Sequence, residues 1–160
     1  MNISKLIEKY WASYAQTIVY KKLNENAIVP TKGSSAAAGY DLYIPQLEEP
    51  VTIPPHETKL VKTGLAIAIP QGFFGAIFAR SGLATKQGLR PANCVGVVDS
   101  DYRGEIMVAL HNDSNEEKTI EAGERIAQLV LLPFLNINFT EVKDLDSTER
   151  GEGGFGSTGK

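Results

Sequence analysis

From Ile18 to Val142 the sequence is a succession of short β-prone runs, each interrupted by Gly, Pro, Asn or Asp before it can lengthen. No crossover helices interrupt the series. Parallel strands need long crossovers, usually helical, so this pattern predicts an all-β sandwich, jelly roll or barrel rather than a parallel α/β sheet. The runs fall at residues 18–20, 27–30, 40–43, 51–53, 59–61, 65–69, 73–78, 106–110, 118–120 and 126–134, with a last one through Ile137, Phe139 and Val142. Leu65, Ile67 and Ile69 alternate with small residues, as a half-buried strand requires.

The two ends depart from the pattern. In residues 1–17, Ile3, Leu6, Ile7, Tyr10, Trp11 and Tyr14 share one side at helical spacing, with Ser4, Lys5, Glu8, Lys9 and Ser13 opposite. Such a short amphipathic helix needs a surface, on its own domain or a neighbouring subunit; membrane or partner binding is the alternative. Residues 150–159 hold five glycines and no core of their own, so the tail is expected to be mobile. The expected organisation is a helix at 1–17, a β-barrel domain at 18–145 and a glycine-rich arm at 146–160.

A length of 160 residues fits one domain with a sizeable core. A net charge of −3 argues against general nucleic-acid affinity while leaving room for a local basic pocket. The single cysteine, Cys94, excludes an intrachain disulfide framework and reads as a small buried apolar residue. It points to a reducing compartment: the cytoplasm, or the nucleus in a eukaryotic or viral setting. No apolar run reaches membrane-span length, and Lys5, Glu8 and Lys9 break any signal-peptide core. His56 and His111 lie far apart with no ligand spacing, and read as surface or edge residues.

Residues 96–106 carry the densest chemistry. Val97 and Val98 lead in, Ile106, Val108 and Leu110 lead out, and the stretch between reads as a hairpin tip closed by Gly104. Alone, it would be a solvated turn with a local salt bridge; a turn does not need Tyr102 between Asp101 and Arg103. Arg80, Ser81 and Gly82 follow a buried-looking strand and could meet a phosphate, or could simply open a helical turn over 83–87. Gln128 interrupts an apolar run and needs partners if buried; otherwise it faces outward. In the tail, Gly156 and its neighbours could cradle an anion, Ser157 and Thr158 could donate hydroxyls, Arg150 could fork onto phosphate, and Phe155 could stack on a base.

Five stretches taken together, residues 37–42, 80–84, 96–105, 123–128 and 150–159, resemble the five motifs of the homotrimeric dUTP diphosphatase (dUTPase) family in order and spacing. The resemblance runs from Ile18 to Gly159. It implies a jelly-roll β-barrel, three sites each shared by three subunits, and magnesium-dependent hydrolysis of dUTP to dUMP and pyrophosphate, with no nucleic-acid or membrane partner. By the same resemblance, Asp99 matches the carboxylate that activates water, and Tyr102 the ring that leaves no room for a 2′-hydroxyl. Backbone around Gly96, Val98 and Met107, with Asn93, matches the uracil contacts. Arg80, Ser81, Gly82 and Gln128 match phosphate contacts, and Asp41 an acid that meets magnesium through water. Arg150, Phe155, Gly156, Ser157 and Thr158 match a lid closing on a neighbour's site. Ala79 stands where the family usually has Pro. The rivals are a dCTP deaminase on the same fold, which the Asp99–Tyr102 tip disfavours, and a non-catalytic nucleotide or protein binder.

Overall fold

The computed structural model describes residues 17–154. The expected amino-terminal helix lies outside them except for Thr17, and so do Phe155, Gly156, Ser157 and Thr158. The described residues form strands β1 (Val19–Lys22), β2 (Thr31–Lys32), β3 (Tyr40–Tyr43), β4 (Val51–Ile53), β5 (Thr58–Lys62), β6 (Leu65–Ala68) and β7 (Phe73–Phe78). A short helix, α1 (Ser81–Gln87), precedes β8 (Leu89–Pro91), β9 (Val95–Val98), β10 (Met107–Asn112), β11 (Lys118–Ile120) and β12 (Arg125–Pro133). Every pairing is antiparallel. The main sheet runs β2-β3-β12-β7-β9, a second runs β5-β10-β8, and β1-β6 and β11-β4 form two pairs. The jelly-roll expectation is met.

The alternation read from sequence is an alternation of burial in β10 but not in β6, where Leu65, Ala66 and Ile67 are all buried. Along β10, Val108, Leu110 and Asn112 are buried and their neighbours partly exposed. Each strand from β3 to β12 sends at least one side chain into a single core, in which Leu42, Ile53, Leu89, Leu110 and Ile126 are all but fully enclosed. Each such side chain contributes about 1.5–3 kcal/mol.

Four expectations are corrected. Residues 96–106 are not a hairpin: β9 pairs with β7, whereas β10 pairs with β5 and β8. The tip is a crossover between two sheets, with a turn in which Tyr102 N donates to the Asp99 carbonyl at 3.2 Å. Alternation tells which residues face inward, not which strand lies alongside. Residues 27–30 form no strand; Ala27 instead closes a turn onto the Asn24 carbonyl and buries its methyl in the core. Residues 137–142 form no strand, and Ile137 and Phe139 are exposed. Cys94 is exposed, because it occupies a left-handed position (φ 63°) in the turn between β8 and β9.

Asn112 ends β10 and is fully buried. Its amide donates to the carbonyls of Ile53 (2.9 Å), Pro54 (3.2 Å) and Glu116 (2.8 Å), and its Oδ1 accepts from the Ser114 amide and hydroxyl. Next to it, Asp113 receives the Arg90 fork at 2.6 and 3.0 Å. That hydrogen bond holds the Asp113 carboxyl below the usual carboxylate range.

Asn112→Ala strands several buried carbonyls and should cost about 2–3 kcal/mol in denaturant unfolding; a loss below ~0.5 kcal/mol would contradict the assignment. A depressed folded pKa means that Asp113 stabilises above its unfolded pKa of about 3.9 and ceases to as pH falls through its folded value. The stability gap between wild type and Asp113→Asn should therefore be present at pH 7 and shrink as pH falls below the unfolded value, closing once the folded carboxyl is protonated. A gap independent of pH would refute the Arg90 fork as its cause.

Candidate active site

The expected site residues fall into two groups, set by strand register. The first lies where β3, β12 and the end of β7 meet. Gln128 pairs across with Asp41 on one side and Phe78 on the other, so their side chains share a face. Arg80, two residues beyond Phe78, continues that face into the start of α1. Its Nε donates to Asp41 Oδ1 at 2.8 Å, and Arg125 Nη1 donates to Asp41 Oδ2 at 3.3 Å. Asp41 is the one buried carboxylate among the described residues. Gln128 Nε2 donates to the Ala79 carbonyl at 2.9 Å, a bond that alanine or proline at 79 would accept equally. Gly39 allows this: a Cβ there would collide with Gln128 Oε1. Ser81 and Gly82 are exposed beside Arg80.

The second group surrounds the sheet-to-sheet crossover. Val98, Asp99, Tyr102 and Met107, with Ile77, Glu105 and Leu60, line an open cavity of about 240 Å³. Asp99 is exposed, and its carboxylate bonds to no other described residue. The Tyr102 hydroxyl donates to the Glu105 carbonyl at 2.9 Å, folding the ring so closely over Gly104 that a Cβ there would strike it. Glu105 Oε1 in turn accepts from the Gly64 amide at 2.8 Å, and Ile106 N donates to the Leu65 carbonyl at 2.7 Å. The crossover is thus tied to the start of β6 on the side away from its acids. Gly96 and Asn93 lie along β9 and the turn before it, outside the cavity lining, with Asn93 Nδ2 beside Gly96.

The two groups do not meet within one chain. Phe78 pairs with Val95 and Gly75 with Val98, so Arg80 lies beyond one end of the β7–β9 pairing and Asp99 just beyond the other. At about 3.3 Å per residue the paired stretch between those two ends is about 10 Å long. Arg150 joins neither group; its Nε donates to the Gly153 carbonyl at 2.7 Å. The other arm residues lie outside the described residues. Sequence reasoning gave no role to Arg125, Glu105 or Leu60. Arg125 was detectable only as a cation three residues before Gln128, and the spacing of a regular strand argued against their sharing a face.

A larger hollow of about 430 Å³ contains none of the expected residues. Glu48, Glu49 and Glu105 line it with the single cation Lys62, which suits no polyanion. His56 and His111 sit at the edge near Asp113, bonded to Asn115 and Thr58.

Magnesium takes one or two carboxylates together with waters and substrate phosphates rather than a protein cage. Among the described residues no group of three His, Cys, Asp or Glu could hold a metal. Each Asp41 oxygen carries one hydrogen bond, which leaves lone pairs for a metal-bound water. This donor set fits an ion carried on the substrate. No helix among the described residues is long and apolar enough to cross a membrane.

Known proteins give the same picture. The dUTPase family model matches residues 25–159. The deoxyuridine 5′-triphosphate nucleotidohydrolase of Hydrogenobaculum sp. is 48% identical over 142 residues, covering 89% of this chain and 97% of that protein. The dUTPase of Staphylococcus bacteriophage 80alpha, solved with dUpNHpp, superposes with a TM-score of 0.82 at 31% identity over 91% of this chain and all of its own. A variant dUTPase from phage phi11 of S. aureus, whose structure describes a structural Mg(II) ion, superposes with a TM-score of 0.72 at 25% identity, covering 81% of this chain and 98% of its own. The chain belongs to the dUTPase family.

Proposed function

We propose that the dUTP hydrolysis of this family runs in this chain at a site assembled between subunits of a homotrimer, with Asp99 as its base. The observation that carries the reading is the cavity beside the crossover, where Asp99, whose carboxylate has no partner among the described residues, stands with Tyr102, Val98 and Met107. An exposed carboxylate can hold a water and take its proton. The oxygen then attacks the α-phosphorus, the P–O bond to the β-phosphate breaks, and pyrophosphate leaves. General-base help of this kind is worth about 10²–10⁴-fold. The Tyr102 ring, pinned through its hydroxyl, lies against the sugar and excludes a 2′-hydroxyl. The β9 backbone at Gly96 and Val98, with Asn93 and Met107, reads uracil's donor–acceptor edge, and a mismatched edge leaves polar groups unpaired.

The triphosphate falls to Arg80, Ser81, Gly82 and Gln128. They lie toward the opposite end of the β7–β9 pairing from Asp99, which supports a neighbouring copy as their source. Magnesium bound with the triphosphate would neutralise charge on its oxygens, and Asp41 would hold its water shell. The arm, through Arg150, Phe155, Gly156, Ser157 and Thr158, closes the site as a lid. The apolar side chains left exposed between 135 and 145, Leu135, Ile137, Phe139 and Val142 among them, also support assembly. The compartment is that of the deoxynucleotide pool, the cytoplasm, or the nucleus in a eukaryotic or viral host.

Asp99→Ala should bind dUpNHpp as wild type does and lose about 10²–10⁴-fold in kcat for pyrophosphate release. Near-normal turnover would remove Asp99 from the mechanism. The wild type should release pyrophosphate from dUTP and hardly at all from UTP or dCTP; ammonia from dCTP would instead make the chain a deaminase. Deleting everything after Glu149 should cut dUTP turnover by about 10²-fold while sedimentation still shows a trimer. An unchanged rate would mean that the tail is no lid.

A further inference from the structure

The β12 strand does something at Arg125 that its sequence does not announce. Arg125 and Gln128 are three residues apart, which in a regular strand puts them on opposite faces. Here Arg125 pairs with Tyr43 while Ala127 pairs with Leu42, so a bulge absorbs one residue, Ile126, into the fully buried core. Bulges commonly re-aim a side chain beside a functional site. After this one, Arg125 shares a face with Gln128 and Asp41, and its Nη1 reaches Asp41 Oδ2.

Asp41 is therefore held from both sides. Arg80 approaches it through Nε alone, so its two terminal nitrogens have no partner among the described residues and are left for an anion. Arg80 is three-quarters covered, whereas Arg125 is half exposed at the rim. A carboxylate with only Arg80 to bind could accept two N–H groups along one edge of that guanidinium, taking up a terminal nitrogen and turning the fork away from substrate. Arg125 occupies the second oxygen and prevents that.

We propose that Arg125 is a positioning residue: through Asp41 it fixes the Arg80 guanidinium so that its terminal nitrogens face the substrate's phosphates. This rests on the reading of Arg80 as a phosphate contact and deepens it. The effect should grow with the phosphates a ligand carries, since Arg125 acts only through Arg80.

Calorimetric titration of the intact enzyme with dUpNHpp and with deoxyuridine, in magnesium, tests this. Arg125→Ala should weaken dUpNHpp about tenfold and leave deoxyuridine unchanged, and Arg125→Lys, which keeps a cation on Asp41, should recover most of the loss. In an Arg80→Ala background, adding Arg125→Ala should cost nothing further. Equal losses for both ligands would mark a merely structural residue. Additive losses would mark a direct phosphate contact, and no loss would leave Arg125 idle; each overturns the proposal. If Arg80→Ala alone binds dUpNHpp as wild type does, the phosphate reading fails instead, independently of Arg125.

Discussion

The nine-residue strand β12 is the constraint on which the rest depends. It pairs with β3 on one side and β7 on the other, and β7 carries β9 beyond it. Those registers fix what stands beside what. They bring Asp41, Arg80, Arg125 and Gln128 together at one end, and they send the Asp99–Tyr102 turn to the other end of β9. Antiparallel pairing is rigid in register because a one-residue slip would turn Leu42, Ala127 and Leu129 out of the core. The separation of the two groups is thus as firmly determined as the core itself.

That separation gives the fold its functional logic. A triphosphate needs cations, a water needs a carboxylate, and the two are kept apart in the lone chain. Asp41 is spent on arginines and Asp99 is left with no partner among the described residues. The two acids thus stand in different surroundings: Asp41 is buried against two guanidinium groups, and Asp99 is exposed to solvent. In the proposed trimer a second copy would complete the pair of functions, and apolar residues such as Phe139 and Leu145, which the single chain leaves in solvent, are available to such an assembly.

Much of this was legible in the sequence, and the limits were physical. Period-two alternation located β10, because burial on one face imposes it directly, while β-prone apolar runs between turn residues located β12 and most other strands. Partner choice was not legible: residues flanking the 96–106 tip resemble a hairpin whether they pair with each other or, as here, with β7, β5 and β8. Residues 137–142 have strand composition but no strand partner among the described residues, and composition alone does not make a strand. Asp99 and Arg80 took their roles from the family resemblance, whereas Gln128 stood out as a polar group in an apolar run and Tyr102 as an aromatic in a polar turn. Arg125 did not, because its role depends on a bulge, and Glu105 did not, because its contact is to a backbone amide 41 residues away.

The central claim is that one chain supplies the base and another the phosphate contacts. Subunit complementation tests it most directly. Asp99→Ala and Arg80→Ala proteins, each nearly inactive alone, are unfolded, mixed in equal amounts, refolded together and assayed for pyrophosphate release from dUTP. Random trimers in which Asp99 and Arg80 of each site come from different subunits should regain about a quarter of the wild-type sites. A mixture no more active than its separate components would mean that both residues serve one site from the same chain, and the division of base and phosphate contacts between subunits would be wrong.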